Sequence, residues 1–474
     1  MTSSRLHDIV KAYDVRGRVP DQLDAGVARA LGAAFAQVVV APERLPGVAV
    51  GRDVRASSPE LAAAFAEGVA EQGVDVVALG PCSTDQLYFA SGRMGLAGAM
   101  VTASHNPPQD NGLKLCRDRA RPVGQDSGLA EVRDLAQWLL DRGSLHALPR
   151  PSRVGDVRTE DVLGDYADHL HSLVDLDGGR PLRVVVDAGS GMAGLTAPAV
   201  LDCPGLGVEL VPLYFDLDGS FPHHLANPLL PATLADLCRT VRETRADLGL
   251  AFDGDADRCV VVDERGEVVP PAVVAALVAD REVRRAVAAG TPAEQVAVVH
   301  NSITSRIVPD TVRAAGARPV RCRVGHSFVK ACMAEHDAVF GGEHSAHYYF
   351  RDFWFADSGM LAALHVLSAL AGQAGPMSAL VDRYGRYVAS GEINTAVPVA
   401  EVPAALERVR AWGRQQGAEA EELDGVILVH EQHPWWWLSL RPSNTESLLR
   451  LNVEGHEAGT VDRVRDEVLA LVRR

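Results

Sequence analysis

Ser104 and His105 stand side by side in the run Thr102-Ala103-Ser104-His105-Asn106-Pro107-Pro108, with Lys114 a little further on. The preceding Gly98-Ala99-Met100-Val101 reads as a short apolar strand. The two prolines lack a backbone N–H and fix their own φ, so the serine is expected on a turn at a strand end that cannot become a helix. A serine held rigidly beside a histidine and near a lysine is how a nucleophile or phosphate carrier is presented. A solvated serine in an Asn-Pro turn fits the same letters.

A second run, Asp253-Gly254-Asp255-Ala256-Asp257-Arg258, places three carboxylates at alternate positions with an arginine directly behind. It follows Asp247-Leu248-Gly249-Leu250-Ala251-Phe252, again a strand pattern. Carboxylates this close repel one another unless a cation lies between them. A few hard oxygen ligands suit Mg²⁺, which keeps waters and shares a phosphate oxygen. The alternative is a solvated acidic loop. An EF-hand fits poorly, because the glycine and the terminal glutamate are not at their loop positions.

The elements that must hold these runs alternate. Val48-Ala49-Val50-Gly51 is an expected strand, followed by Arg52-Asp53-Val54-Arg55. Ser58-Pro59-Glu60 opens a helix, with serine as cap and proline at the first position, and Gly73 stops it. Val74 to Leu79 is a strand, Asp85 to Ala90 lies on a helix, and the strand into Ser104 follows. This alternation predicts a parallel sheet covered on both faces, with ligands beyond the carboxyl ends of its strands. Near the start, Arg16 beside Gly17 could reach a phosphate or carboxylate as a fork. A linker is expected at Arg150-Pro151-Ser152.

Beyond it, a helix with Tyr166 and Leu170 leads to a strand, Leu182 to Asp187. Gly189-Ser190-Gly191-Met192-Ala193-Gly194 then matches the dinucleotide fingerprint, with Val208 to Leu213 as second strand and Asp216 as ribose acid. Its other reading is a tight turn that needs glycine for backbone reasons. His223-His224 lack a third spaced ligand and read as polar loop residues. Arg321 to His326 is expected to end a strand. In Gly342-Glu343-His344-Ser345-Ala346-His347, an extended backbone would aim Glu343, Ser345 and His347 to one face, which suits sugar hydroxyls. From about Gly372 the pattern becomes α+β with antiparallel hairpins. There Trp435-Trp436-Trp437 reads as strand packing, and Arg441-Pro442-Ser443-Asn444-Thr445-Glu446 as a tight turn whose donors fit a phosphate.

Composition bounds the whole. A chain of 474 residues, 47% apolar, should divide into three or four domains. A net charge of −16 opposes a nucleic-acid or anionic-membrane surface. No apolar run is expected to span a bilayer; Val27 to Val40 comes closest, interrupted by Arg29 and Gln37. The N-terminus lacks a signal-peptide core, and seven cysteines without Cys-x-x-Cys read as reduced thiols of a cytoplasmic protein.

Taken together, Thr102 to Pro107, Asp253 to Arg258, Gly342 to His347 and Arg441 to Glu446 resemble the α-D-phosphohexomutases, closest to the bacterial phosphomannomutase/phosphoglucomutase branch. The resemblance covers Tyr13 to Glu446. It implies three α/β domains with mixed, largely parallel sheets plus a C-terminal α+β lid domain around a central cleft. The expected divisions are 1–150, 151–255, 256–371 and 372–474. By this resemblance Ser104 is the phosphoserine, and it holds one Mg²⁺ per chain with Asp253, Asp255 and Asp257. Arg16, His105 and Lys114 surround the transfer, with Lys114 a candidate general acid/base. Tyr13, Arg258, His326, Glu343, Ser345, His347, Arg441, Ser443, Asn444 and Thr445 bind the substrate, and Lys330 matches a further cleft segment. Ala346 stands where many members carry glycine, Ser447 where many carry proline, and no lysine stands near His300-Asn301. The implied reaction interconverts hexose 1-phosphate and hexose 6-phosphate of mannose and/or glucose, with hexose 1,6-bisphosphate as intermediate and activator. The implied enzyme is a monomer or dimer whose partners are small-molecule sugar phosphates. The rival readings are a nucleotide-binding oxidoreductase through Gly189 to Gly194 and a Mg-dependent sugar phosphatase.

Overall fold

The structure, a computed structural model, describes residues 5–143, 148, 151–176, 178–202, 205, 207–385, 387–442 and 448–473. The expected linker at Arg150 and the proposed phosphate-turn residues Ser443, Asn444 and Thr445, with Glu446 and Ser447, lie outside the described residues. The chain forms two compact units, one of residues 1–274 and 345–380, the other of residues 275–344 and 381–474.

The first unit contains two mixed sheets. In the first, the order is Val15–Arg18, Asp110–Cys116, Ala97–Val101, Val48–Arg52, Val76–Pro81 and Val157–Thr159. The first two pairings are antiparallel and the other three parallel. Ala97–Val101 is buried along its whole length, as a central strand covered on both faces must be. Helix Thr84–Met94 starts at a capping box, in which Ser83 and Gln86 satisfy each other's backbone N–H groups. Ala25–Glu43 is a continuous helical run that meets the length and hydropathy of a membrane span, which the expectation from Val27 to Val40 passed over. It is used here as core: a Cβ at Gly32 would stand 2.2 Å from the Phe65 carbonyl oxygen, so its helix lies directly on Ser58–Ala70.

The second sheet runs Val268–Val269, Cys259–Asp263, Leu248–Phe252, Leu182–Asp187 and Val208–Leu213, with the last two pairings parallel. It continues across the expected division at 255/256, because Cys259–Asp263 pairs antiparallel with Leu248–Phe252. Helix Gly359–Ala371 also belongs to this unit; its Gly359 approaches the Arg258 carbonyl so closely that a Cβ would lie 2.7 Å away.

In the second unit, Arg318–Cys322, Ala297–Asn301 and Phe340–Gly342 are parallel neighbours. His326 opens helix His326–His336 rather than ending a strand. The C-terminal sheet is antiparallel throughout, with Glu419–Glu421, Val426–His430, Trp436–Pro442 and Leu448–Gly455 in succession. Trp436 and Trp437 are buried in strand Trp436–Pro442, with Trp436 stacked on His430, so these two are strand packing as expected, while half-buried Trp435 precedes the strand.

Candidate active site

Ser104 lies just past the end of strand Ala97–Val101, on a turn with φ of 51°. Its N–H donates to Thr102 Oγ1 (2.8 Å), and Thr102 Oγ1 donates to Asp53 Oδ2 (2.8 Å). Arg55, wholly buried, then clamps the loop from beneath. Its Nη1 donates to the carbonyls of Pro107 (2.6 Å) and Asp110 (2.9 Å), and its Nη2 to those of Ser104 and Asn106 (both 2.8 Å). Its Nε pairs with Asp53 at 3.0 Å. The loop therefore owes its shape to one guanidinium whose donors are fixed in a planar fork.

The three aspartates follow strand Leu248–Phe252, and all three are buried. Ala256 takes a φ of 59°, which folds Asp253, Asp255 and Asp257 back so that their oxygens lie within 4.8 Å of one another. Gly254 lets this loop close on the serine loop, since a Cβ there would lie 2.6 Å from the Ser104 carbonyl oxygen. Gly191 in turn approaches Gly254, where a Cβ would meet its carbonyl oxygen at 2.8 Å. The glycines of the dinucleotide-like run are thus used to pack a turn against the acidic loop.

Ser104 Oγ donates to Asp253 Oδ2 at 2.6 Å, and His105 Nδ1 lies 3.1 Å from the same hydroxyl. Lys114 Nζ bridges Asp255 Oδ2 (2.6 Å) and Asp257 Oδ2 (2.5 Å), and Thr84 Oγ1 also donates to Asp255 Oδ2 (2.7 Å). Burial, with Asp255 and Asp257 beside it, pushes the Asp253 carboxyl well above the usual range. Burial acts the same way on Asp255, but Lys114 outweighs it and holds that carboxyl low. Burial would lower Lys114, yet Asp255 and Asp257 raise it, so the ammonium is kept. His105 is pushed down to about 2 by burial and by Arg258 and Arg16, so its ring is neutral.

Asp255 Oδ1 and Asp257 Oδ1 are buried and meet no hydrogen-bond donor among the described residues. Orphaned carboxylate oxygens are costly, and they call for an ion or an ordered polar group. An all-oxygen donor set of this charge fits a hard divalent cation such as Mg²⁺. The acidic run is therefore a buried cluster that could hold a metal ion, not a solvated loop.

Arg16, on strand Val15–Arg18, pairs with Asp14 (2.7 Å) and donates to Asn106 Oδ1 (2.7 Å), which brings it to the serine loop. Tyr13 is half-buried just before it. Arg258 Nε donates to His347 Nε2 (2.9 Å) and lies 3.6 Å from Asp253 Oδ2. The run Glu343 to His347 is not extended. Residues 344–346 form a turn in which Ala346 has a φ of 62°, so the three side chains do not share a strand face. That left-handed conformation gives a backbone reason for glycine at this position and costs an alanine some strain. Ser345 is half-buried on the turn.

The remaining candidates lie in the second unit. Glu343 is buried and accepts from Asn301 Nδ2 at 2.7 Å. His326 opens its helix and buried Lys330 lies one turn on. Arg441 sits within strand Trp436–Pro442, not on a turn, with Glu392 3.5 Å away. The sequence reading passed over Arg55, Asp53 and Thr84. A signal existed for the first two, because Arg52 to Arg55 follows a strand at its carboxyl end, where ligands and their supports gather.

Four family models match in order, all of phosphoglucomutase/phosphomannomutase: alpha/beta/alpha domain I at residues 7–137, domain II at 164–266, domain III at 271–387 and the C-terminal domain at 392–471. The chain is 36% identical over 473 residues to a phosphomannomutase of Escherichia coli, covering 98% of each. It is 38% identical over 467 residues to a protein of Xanthomonas campestris pv. campestris described as phosphohexose mutases, again covering 98% of each. Among solved structures, it matches a phosphoglucomutase/phosphomannomutase family protein from Burkholderia thailandensis with a TM-score of 0.86 and 32% identity, over 100% of this chain and 98% of the other.

Proposed function

The chain belongs to the phosphoglucomutase/phosphomannomutase family, and from that premise we propose that Ser104 carries the phosphate it transfers. The protein is a phosphohexomutase, an intramolecular phosphotransferase that interconverts hexose 1-phosphate and hexose 6-phosphate. The observation that carries the Ser104 reading is its hydroxyl, 2.6 Å from Asp253 in a buried carboxylate cluster with two orphaned oxygens.

In this reading Ser104 gives its phosphoryl group to the free hydroxyl of a hexose monophosphate. The Ser104 Oγ–P bond breaks as the sugar O–P bond forms, giving a hexose 1,6-bisphosphate. The bisphosphate turns over in the site, and its other phosphate returns to Ser104. Asp253, Asp255 and Asp257 would hold one Mg²⁺ per chain. When bound, the ion neutralises phosphoryl charge and steadies the serine oxygen as leaving group. Lys114, kept as an ammonium by its two carboxylates, supports the acid half of a general acid/base role. Arg16 reaches the serine loop through Asn106, which supports reading it as a fork onto a phosphoryl group. Glu343 and Ser345 are read as sugar contacts, and Arg441 with Ser443, Asn444 and Thr445 as the grip on the distal phosphate. We place the enzyme in the cytoplasm, as a monomer or dimer acting on mannose and glucose phosphates, with hexose 1,6-bisphosphate as activator.

The test is phosphorus NMR of mannose 1-phosphate with the protein, Mg²⁺ and a trace of glucose 1,6-bisphosphate. Conversion to mannose 6-phosphate, stopped by a chelator and restored by Mg²⁺, is expected. Release of inorganic phosphate without isomerisation, or turnover that ignores chelation, would overturn the reading.

A further inference from the structure

Asn301 is the last residue of strand Ala297–Asn301, and Glu343 directly follows the neighbouring parallel strand Phe340–Gly342. The register pairs His300 with Gly342, so the next residue on each side brings an amide beside a carboxylate. Both are buried, Asn301 wholly so. Asn301 Nδ2 donates to Glu343 Oε1 at 2.7 Å. The loop His300-Asn301-Ser302-Ile303-Thr304-Ser305 carries no lysine or arginine, so what it offers Glu343 is a neutral donor. Arg306, the next residue, is turned to Asp310 (3.0 Å) and Glu431 (2.7 Å).

The amide is held from its other end. Its Oδ1 accepts from Thr304 Oγ1 (2.8 Å) and from the Ile303 N–H (3.2 Å), and the Asn301 carbonyl accepts from the Thr304 N–H (3.2 Å). A backbone N–H can only donate, so the amide oxygen must face the turn and the amide nitrogen must face Glu343. The flipped amide would set its NH₂ against the Ile303 N–H and its oxygen against a carboxylate. Thr304 is itself buried. The turn thus fixes the side chain and its sense, and Glu343 takes its orientation from a group that cannot rotate without losing three bonds.

We propose that Asn301 is a positioning residue for substrate recognition, orienting the Glu343 carboxylate for the hydroxyls that glucose and mannose share. In a hexose 1,6-bisphosphate C1 and C6 carry the phosphates, and the two sugars differ at C2, so the shared hydroxyls are those on C3 and C4. A carboxylate presents its acceptor sites in its own plane, and the amide sets that plane without offsetting the charge as a lysine or arginine would. Recognition of these hydroxyls then depends on a residue one step behind the one that meets them. The proposal rests on the reading of Glu343 as a sugar contact.

The test crosses variants of the full chain with deoxy substrates, reading kcat/KM for glucose 1-phosphate and its 3-deoxy and 4-deoxy analogues with glucose 1,6-bisphosphate as activator. Wild-type protein should lose about 10–100-fold on at least one analogue, as expected for a lost hydrogen bond to a carboxylate. Asn301→Asp keeps the acceptor that the turn uses and withdraws the donor that Glu343 uses. It should lose about tenfold or more on glucose 1-phosphate, chiefly through KM, and its further loss on that analogue should shrink to less than about threefold. Asn301→Ala gives the same reading if two adjacent carboxyl groups prevent folding. A residue that only held the turn would lower rate or stability and leave the analogue penalty as in wild type, and that result would overturn the proposal. Glu343→Ala separates the proposal from the reading beneath it. A penalty lost in Glu343→Ala but kept in the Asn301 variants contradicts the positioning role alone. A penalty that survives Glu343→Ala, or none in wild type, contradicts the sugar contact and the proposal with it.

Discussion

Arg55 gives four N–H bonds to the backbone of the serine loop and one to Asp53, and it is wholly buried. A lysine has three donors on a tetrahedral head and cannot serve the same planar fork. Arg55→Lys is expected to lower unfolding free energy by about 2–4 kcal/mol and kcat by more than about tenfold, with Mg²⁺ still bound. Calorimetry with steady-state kinetics measures both; a variant with wild-type stability and rate would contradict the clamp. The comparison with the sequence is instructive at this scale. Ser104 and the three aspartates were legible because the proposed chemistry needs their side-chain types at that spacing, and the structure brings them together. For Arg55 only its place after a strand's carboxyl end was legible, because its partners are carbonyl oxygens, which every residue has and no letter records.

At the scale of elements, apolar runs marked the strands and turn residues marked their ends. The sequence reading faltered where a single backbone angle decides. Glu343 to His347 alternates like a strand, but Ala346 in the left-handed region makes it a turn. The run Gly189 to Gly194 has the fingerprint of a nucleotide loop, yet its Gly191 is required by the approach of Gly254. Helix Thr84–Met94 carries a pH-dependent element of stability. Asp85 in its first turn is buried and accepts from Tyr166 and Ser358 (both 2.7 Å) and from Ser83. Burial pushes its carboxyl up to about 6 against an ordinary 3.8, with the hydroxyl donors pulling the other way. The folded chain therefore holds this proton more tightly than the unfolded chain. That contribution is complete below about pH 4 and is lost as pH rises through about 6. Asp85→Asn stays neutral, so its stability relative to wild type should improve by about 2 kcal/mol between pH 4 and pH 7. Urea unfolding at the two pH values checks this; parallel profiles would contradict it.

At the scale of the molecule, four matched segments are folded into two compact units. The C-terminal sheet shares its unit with residues 275–344, and buried Glu454 is one of the ties. It accepts from Ser305, from the Arg306 N–H (2.8 Å) and from Trp437 Nε1 (2.6 Å). Glu343 and Arg441, read as sugar and phosphate contacts, thus belong to one body. No periodicity could foretell that, because the ties are single side chains between distant segments, with Arg306–Glu431, Arg321–Glu421 and Tyr387–Asp310 beside Glu454. A bisphosphate that must bind in two orientations favours contacts common to both, and glucose and mannose differ only at C2. Comparable kcat/KM for the two 1-phosphates, within about two orders of magnitude, is expected. Strict rejection of either sugar in coupled assays would contradict it.

The central claim is that Ser104 carries the phosphate, and the phosphorylation state of that side chain tests it most directly. After incubation with glucose 1,6-bisphosphate, intact mass and peptide mapping should find one phosphate, on Ser104, discharged by added mannose 1-phosphate and absent from an inactive Ser104→Ala. Phosphate on another residue, or a fully active Ser104→Ala, would contradict the account.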